Sequence, residues 1–349
     1  MEPIPRNRDG SSVTERIVII AEAGVNHNGD LATAKKLIDV AAAAGADYVK
    51  FQTFKAETLA TTNAPKADYQ KQAKGAAAQT QLEMLRSLEL SKEQHIELIK
   101  HCAENNISFL STGFDEASLD LLFELGVRLF KVPSGELTNL PYLEHMASFQ
   151  CPVYLSTGMA TLEEIKWAVD VLVSAGLARE KISVLHCTTA YPTPIAQANL
   201  SAITTLQNEL KLPIGYSDHT TGITASIAAV ALGATVIEKH FTLSKDQEGP
   251  DHKASLEPDE LISLVVSIRE VSSSLGTGQK IPQDCELENI PVARKSIVAS
   301  KSIGAGEEFT IENLTTKRPG TGISPIHWHE VLGTKASRSY DVDEMISFE

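Results

Sequence analysis

The chain has 349 residues, 42% of them hydrophobic and 22% charged, and a formal net charge of −14. That length admits one large domain plus a small one, and the acidic balance disfavours nucleic acid and anionic membranes as partners. No apolar run approaches the roughly 18 residues of a membrane span. The polar segment 1–15 lacks the hydrophobic stretch of a signal peptide and reads as a flexible leader. Cys102, Cys151, Cys187 and Cys285 form no C-x-x-C pair, which argues against a disulfide scaffold or zinc knuckle and for a reducing, cytoplasmic setting.

In chain order, short β-branched runs alternate with amphipathic stretches. The runs are Ile17–Ala23, Tyr48–Phe54, Ser108–Thr112, Arg128–Pro133, Pro152–Thr157, Ile182–Thr188, Pro213–Ser217 and Thr235–Phe241. Between them lie Leu31–Ala44, Lys92–Asn105, Glu163–Ala175 and Ile223–Leu232, and Gly45, Gly126, Gly176 and Gly233 stand where helix C-caps are expected. Eight strand–helix units predict a closed TIM (β/α)8 barrel over residues 16–275. An open doubly wound sheet is the alternative, and the lack of a G-x-G-x-x-G after the first strand counts against its dinucleotide-binding form. Lys55–Gln79, with Tyr69, is too long for a plain loop and reads as a rim excursion over the barrel mouth. A helix over Pro258–Leu275 precedes a polar linker at 276–289. Residues 290–349 follow as a small domain of short β-rich pieces and turns (Ser296–Ala299, Gly304–Glu307, Lys317–Thr321).

Chemistry in such barrels sits at the C-terminal strand ends. Here those ends carry Glu22; Lys50 and Gln52; Thr112; Lys131, Ser134 and Glu136; Ser156 and Thr157; His186 and Thr188; Ser217 and His219; and Glu238 and His240. A buried polar group without a partner costs a few kcal/mol, so a structural barrel would not repeat this at every strand. Strand parity turns Glu22, Lys50, His219 and His240 toward the axis. Two histidines on adjacent strands make a partial metal site or a pair of hydrogen-bonded core residues, and spacing alone leaves both open. Strand-end lysines suit a phosphate or carboxylate, or a Schiff base.

Other positions read as structural. His27 lies in the turn before a helix that Asp30 caps. Cys187 faces away from His186 and reads as core, Pro192 and Pro194 stiffen the loop after Tyr191, and His327 and His329 read as surface residues.

Several ordered motifs resemble the sialic acid synthase family. They are Ala21-Glu22-Ala23-Gly24-Val25-Asn26-His27-Asn28-Gly29, Lys50-Phe51-Gln52-Thr53 and Lys131-Val132-Pro133-Ser134-Gly135-Glu136. Ser156-Thr157-Gly158-Met159, His186-Cys187-Thr188, Tyr191-Pro192-Thr193-Pro194 and Gly215-Tyr216-Ser217-Asp218-His219 continue the series. It closes with Glu238-Lys239-His240-Phe241-Thr242 and Gly249-Pro250-Asp251-His252, and Lys317–Gly322 is similar to the antifreeze-like (SAF) domain such synthases carry. The resemblance implies condensation of phosphoenolpyruvate with an N-acylated mannosamine-type sugar, phosphate release and a divalent cation, Mn or Mg. N-acetylmannosamine, giving N-acetylneuraminate, is the first acceptor it implies. A 2,4-diacetamido-2,4,6-trideoxymannose, giving legionaminate, is the alternative.

Carried onto this chain, the resemblance makes His219 and His240 metal ligands. Lys50, Thr112, Lys131, Ser134, Ser156 and Ser217 then hold phosphoenolpyruvate, and Gln52, Glu136, Tyr191 and Asp251 face the sugar. Arg318 would reach a barrel mouth from a partner subunit in a domain-swapped homodimer. Thr189 departs from members with Asn there. Glu22, pointing inward, is the expected group to stabilise charge or activate water. A Schiff-base aldolase using Lys50 or Lys131, and an ice- or glycan-binding module on an inert barrel, are the competing classes.

Overall fold

In the βα units a β-branched run is largely buried, and several of the following helices start at a residue able to cap them. Asp30 accepts from the Thr33 amide, and Ser91 and Thr161 form capping boxes with Gln94 and Glu164. Gly45, Gly126, Gly176 and Gly233 all have positive φ and close their helices. The computed structural model describes residues 16–61 and 80–347. The leader at 1–15, and the part of the rim excursion at 62–79 that includes Tyr69, lie outside the described residues.

The first unit runs to Thr277. Its strands β1 (Val18–Gly24), β2 (Tyr48–Thr53), β3 (Ser108–Gly113) and β4 (Phe130–Val132) continue into β5 (Val153–Ser156), β6 (Ile182–Cys187), β7 (Ile214–Asp218) and β8 (Val236–His240). All pairs are parallel and β8 returns to β1, so the barrel is closed. This excludes the open doubly wound sheet.

Two apolar layers hold the barrel. Outside the strands, Leu37, Phe51, Leu98, Leu143, Val169, Ile203 and Leu264 join one continuous cluster beneath the helices. Each buried side chain of this kind contributes roughly 1.5–3 kcal/mol. Inside, Ile20, Leu110, Leu185 and Val236 plug the lower barrel. A Cβ at Gly215 would come within 2.4 Å of Leu185 Cδ2 and 2.7 Å of the Val236 carbonyl, so glycine lets β7 close on this plug. Above the plug the inward side chains are polar, which is where the sequence places the functional ring.

The second unit runs from Gly278 to the C-terminus. It starts with short helices at Asp284–Leu287 and Asn289–Ala293, within and just after the span read as linker. The antiparallel pair β9 (Ser296–Ala299) and β10 (Leu314–Lys317) follows. Its core is Ile297, Ala299, Ile303, Phe309, Leu314, Val331, Ala336, Tyr340 and Ile346. Gly304–Glu307 is a turn rather than a strand, because Gly306 takes φ 83° and the Glu307 amide bonds the Gly304 carbonyl.

Candidate active site

The site is built on the rung of the barrel directly above the apolar plug. Glu22 on β1, Lys50 on β2, Lys131 on β4 and Glu238 on β8 are all at most 5% exposed, and all meet on the axis. Lys50 Nζ contacts Glu22 Oε2 and lies 3.5 Å from Glu238 Oε2, while Lys131 Nζ donates to Glu238 Oε1 at 3.0 Å. Thr112 Oγ1 accepts from Lys50 at 2.9 Å, and Ser217 Oγ donates to Glu238 Oε1 at 2.8 Å.

Two lysines and two carboxylates thus share one dry space. Burial pushes Glu22 up to about 7 despite Lys50 beside it. Burial works the same way on Glu238, but Lys131 and Lys50 overcome it and hold this carboxyl well below its ordinary range. Burial would lower Lys50, yet Glu22 and Glu238 keep it above its ordinary value. An ammonium held so firmly is a poor Schiff-base nucleophile. Both lysines are paired with carboxylates, because a bare ammonium here would bear the full desolvation cost.

The histidine pair lies beside this cluster. The ring centroids of His219 and His240 are 5.5 Å apart, and Tyr191 packs 4.2 Å from His219 and edge-on to His240 at 6.0 Å. His219 Nδ1 meets the Thr188 carbonyl at 2.9 Å, an acceptor that puts the proton on Nδ1 and leaves the Nε2 lone pair as a ligand. Burial keeps His240 neutral, well below its ordinary value. Burial would lower His219, but Cys187 and the Thr188 carbonyl hold it above its ordinary value, so it must give up its Nε2 proton to bind a metal. With that proton lost, the two imidazoles fit a divalent metal with open positions for water and substrate. Among the described residues no group of three or more His, Cys, Asp or Glu is gathered to hold a metal.

Of the predicted residues, four line one cavity. Gln52, Tyr191, His240 and Asp251 wall a cavity of about 300 Å3 with Val25, Leu59, Met84, Leu85, Leu88 and Phe114. Burial raises Asp251 to about 6. Among the described residues Ser156 Oγ is buried without a hydrogen-bond partner, as is Glu22 Oε1, the carboxylate oxygen that Lys50 does not contact. Ser134 Oγ accepts from the Gly158 amide at 2.9 Å. A Cβ on Gly158 would lie 2.1 Å from Thr189 Oγ1 and 2.8 Å from Ser134 Oγ, which explains glycine there and places Thr189 against the Ser134 loop. Glu136 sits half-buried on a single turn and accepts from Asn139 at 2.6 Å. Arg318 is an exposed residue of the second unit whose Nε donates to the Ala293 carbonyl.

Three positions depart from the sequence reading. Cys187 is not simply core: its Sγ lies 3.7 Å from His219 Nδ1. Burial would raise this thiol, but His219 and Lys131 draw it below its ordinary value. Parity on β6 turns Cys187 inward, so His186 leaves the ring, bonds the Ala198 carbonyl at 2.8 Å and stacks on Tyr216. Glu238, named with His240 at the end of its strand but given no role by the sequence, is the hub that joins both lysines and Ser217. The signal was available, since two buried lysines require an anion and Glu238 shares the His240 face. Two positions read as structural are so: the His27 Nδ1 accepts from the Gly29 amide, and His327 pairs with Glu330 on the surface.

A profile of the NeuB family matches residues 37–280, and one of the SAF domain matches residues 294–348. The chain belongs to the NeuB family. It is an enzyme, a phosphoenolpyruvate-dependent transferase that forms a carbon–carbon bond. This NeuB chain is 54% identical to the N,N'-diacetyllegionaminic acid synthase of Campylobacter jejuni, over 95% of its own length and 99% of the relative's. It is 46% identical to the synthase of the same name from Legionella pneumophila, over 97% and 95% of the two chains. Among solved structures it is similar to the N-acetylneuraminic acid synthetase of Leptospira borgpetersenii in complex with citrate. That likeness has 36% identity and a TM-score of 0.72, over 83% of this chain and 95% of the other.

Proposed function

We propose that this NeuB enzyme condenses phosphoenolpyruvate with 2,4-diacetamido-2,4,6-trideoxymannose, giving N,N'-diacetyllegionaminate and phosphate. The observation that carries the choice of acceptor is the higher identity to two legionaminic acid synthases than to the neuraminic acid synthetase. It favours this sugar over N-acetylmannosamine, the acceptor the motifs first implied. The cavity supports it too: the apolar wall of Val25, Leu59, Met84, Leu85, Leu88 and Phe114 suits two acetamido methyls and a deoxy terminus better than a hydroxylated chain.

In this reading Lys131, Lys50, Thr112, Ser134, Ser156 and Ser217 hold the phosphate and carboxylate of phosphoenolpyruvate. The unpartnered Ser156 hydroxyl supplies a free donor. Gln52, Glu136, Tyr191 and Asp251 orient the sugar. His219 and His240 would hold a divalent ion, Mn or Mg, which when bound supplies Lewis acidity toward the acceptor aldehyde. C3 of the enol phosphate attacks that aldehyde, whose oxygen takes a proton from solvent to become a hydroxyl, and positive charge develops at C2. Water adds at C2 and gives its proton to Glu22, whose carboxyl is raised to about 7 and so changes protonation state near neutrality. Collapse of the tetrahedral adduct expels phosphate and leaves the 2-keto acid.

The proposal includes a cytoplasmic homodimer in which Arg318 of the partner subunit completes the mouth. Its test is complementation: a barrel-inactive Glu22→Gln chain mixed with an Arg318→Ala chain regains activity only if sites are shared. The acceptor is tested by comparing kcat/KM for the two sugars under identical phosphoenolpyruvate and Mn. A preference for N-acetylmannosamine would overturn it.

A further inference from the structure

Immediately beside each histidine of the pair stands a buried charge that the chemistry above does not use. Asp218 precedes His219 on β7, and Lys239 precedes His240 on β8. The two are register partners across adjacent strands, each 1% exposed, with Lys239 Nζ 3.0 Å from Asp218 Oδ2. Alternation along a strand turns them outward from the barrel where the histidines turn inward.

Their other bonds converge on one short stretch of backbone. Asp218 Oδ1 accepts from the Thr220 amide at 2.8 Å, closing an Asx turn around His219. Lys239 Nζ donates to the carbonyl of the same Thr220. Asp218 Oδ2 accepts from Ser226 Oγ at 2.6 Å, which ties the turn to the helix Thr224–Ala231. The His219 carbonyl in turn accepts from the Thr193 amide at 2.8 Å, so the loop carrying Tyr191 hangs from the same turn.

A buried ion pair is often no more stabilising than apolar residues of equal volume, so stability alone is a weak reason for one here. Geometry is a better one. The pair pins β7 to β8 one residue before both histidines and fixes the backbone on each side of His219. We propose that Asp218 and Lys239 are positioning residues that hold His219 and His240 at the separation a shared divalent ion requires. This rests on the reading of those histidines as metal ligands.

The test is calorimetric titration of Mn into chelator-treated full-length protein, with the melting temperature of the metal-free protein recorded alongside. The variants are His219→Ala, Asp218→Asn, Lys239→Arg and the double substitution Asp218→Leu/Lys239→Met. The double variant leaves no uncompensated charge, so it keeps a folded barrel with a melting temperature near or above the parent's. The expected result is Mn binding weakened roughly 10–100-fold in it and in Asp218→Asn, with Lys239→Arg, which keeps the ion pair, close to the parent. Parent-like Mn affinity in both weakened-pair variants would overturn the proposal while leaving the histidine reading intact. Undiminished Mn binding by His219→Ala would instead overturn the histidine reading itself. Should the double variant fail to fold, Asp218→Asn decides, because its carbonyl still accepts from Thr220 and keeps the turn, while the charge and the Oδ2 acceptor that Lys239 and Ser226 use are lost.

Discussion

Substituting Glu238→Gln removes one charge from the axis and keeps the shape. Lys131, 4% exposed, then loses the one carboxylate bonded to it among the described residues, whereas Lys50 retains Glu22. Breaking a buried pair on one side costs about 3–5 kcal/mol. The lower end applies, because the Gln carbonyl still accepts from Lys131 and Ser217. For a domain of this size each kcal/mol moves Tm by about 2–4 °C, so about 3 kcal/mol lowers it by roughly 6–12 °C. Inorganic phosphate supplies the missing anion: at a hundred times its Kd it returns about 2.7 kcal/mol, against a smaller gain in the parent, where Glu238 competes for Lys131. Differential scanning calorimetry with and without phosphate measures both effects. A Tm within 2 °C of the parent, or equal phosphate responses, would refute the view that Glu238 is the counter-charge of Lys131.

Three further outcomes are expected. Glu22→Gln should lower turnover by roughly a hundredfold or more with phosphoenolpyruvate binding preserved; steady-state kinetics and a binding titration separate the two, and near-normal turnover removes Glu22 from the proton-accepting role. Burial lowers His27 from 6.5 to about 4, so it folds neutral while the unfolded chain takes up a proton. Its contribution is therefore complete above pH 6.5 and is lost as pH falls toward 4, by about 3 kcal/mol. Urea denaturation at pH 7 and pH 4.5 should show less acid sensitivity in His27→Gln; equal sensitivity would contradict this. Gly158→Ala drives a methyl into Thr189 Oγ1 and Ser134 Oγ, so KM for phosphoenolpyruvate should rise at least tenfold, with partial recovery in Gly158→Ala/Thr189→Ala.

The barrel was legible because its signals are local. Period-2 runs, capping residues and glycine C-caps each report on a few neighbouring residues, and strand bounds fell within two residues of those found, as in Ile182–Cys187 against Ile182–Thr188. Parity was enough to bring Glu22, Lys50, His219 and His240 together. What the sequence concealed is pairing across the barrel: Lys131 and Glu238 are 107 residues apart, and no spacing rule links them. The Cys187–His219 contact was hidden for a related reason. Cys187 was judged against its neighbour His186, while its partner came from the next strand. The cavity wall proposed to face the acceptor is not legible in strand-end residues, since it includes loop and helix positions such as Met84 and Leu88.

Phosphate release from phosphoenolpyruvate by the purified protein tests the central claim most directly. The account predicts release that requires both sugar acceptor and divalent metal, stops in EDTA and returns with Mn, with no borohydride-trapped adduct on Lys50 or Lys131. Carbon–carbon bond formation that persists in EDTA, with borohydride trapping substrate on either lysine, would contradict it.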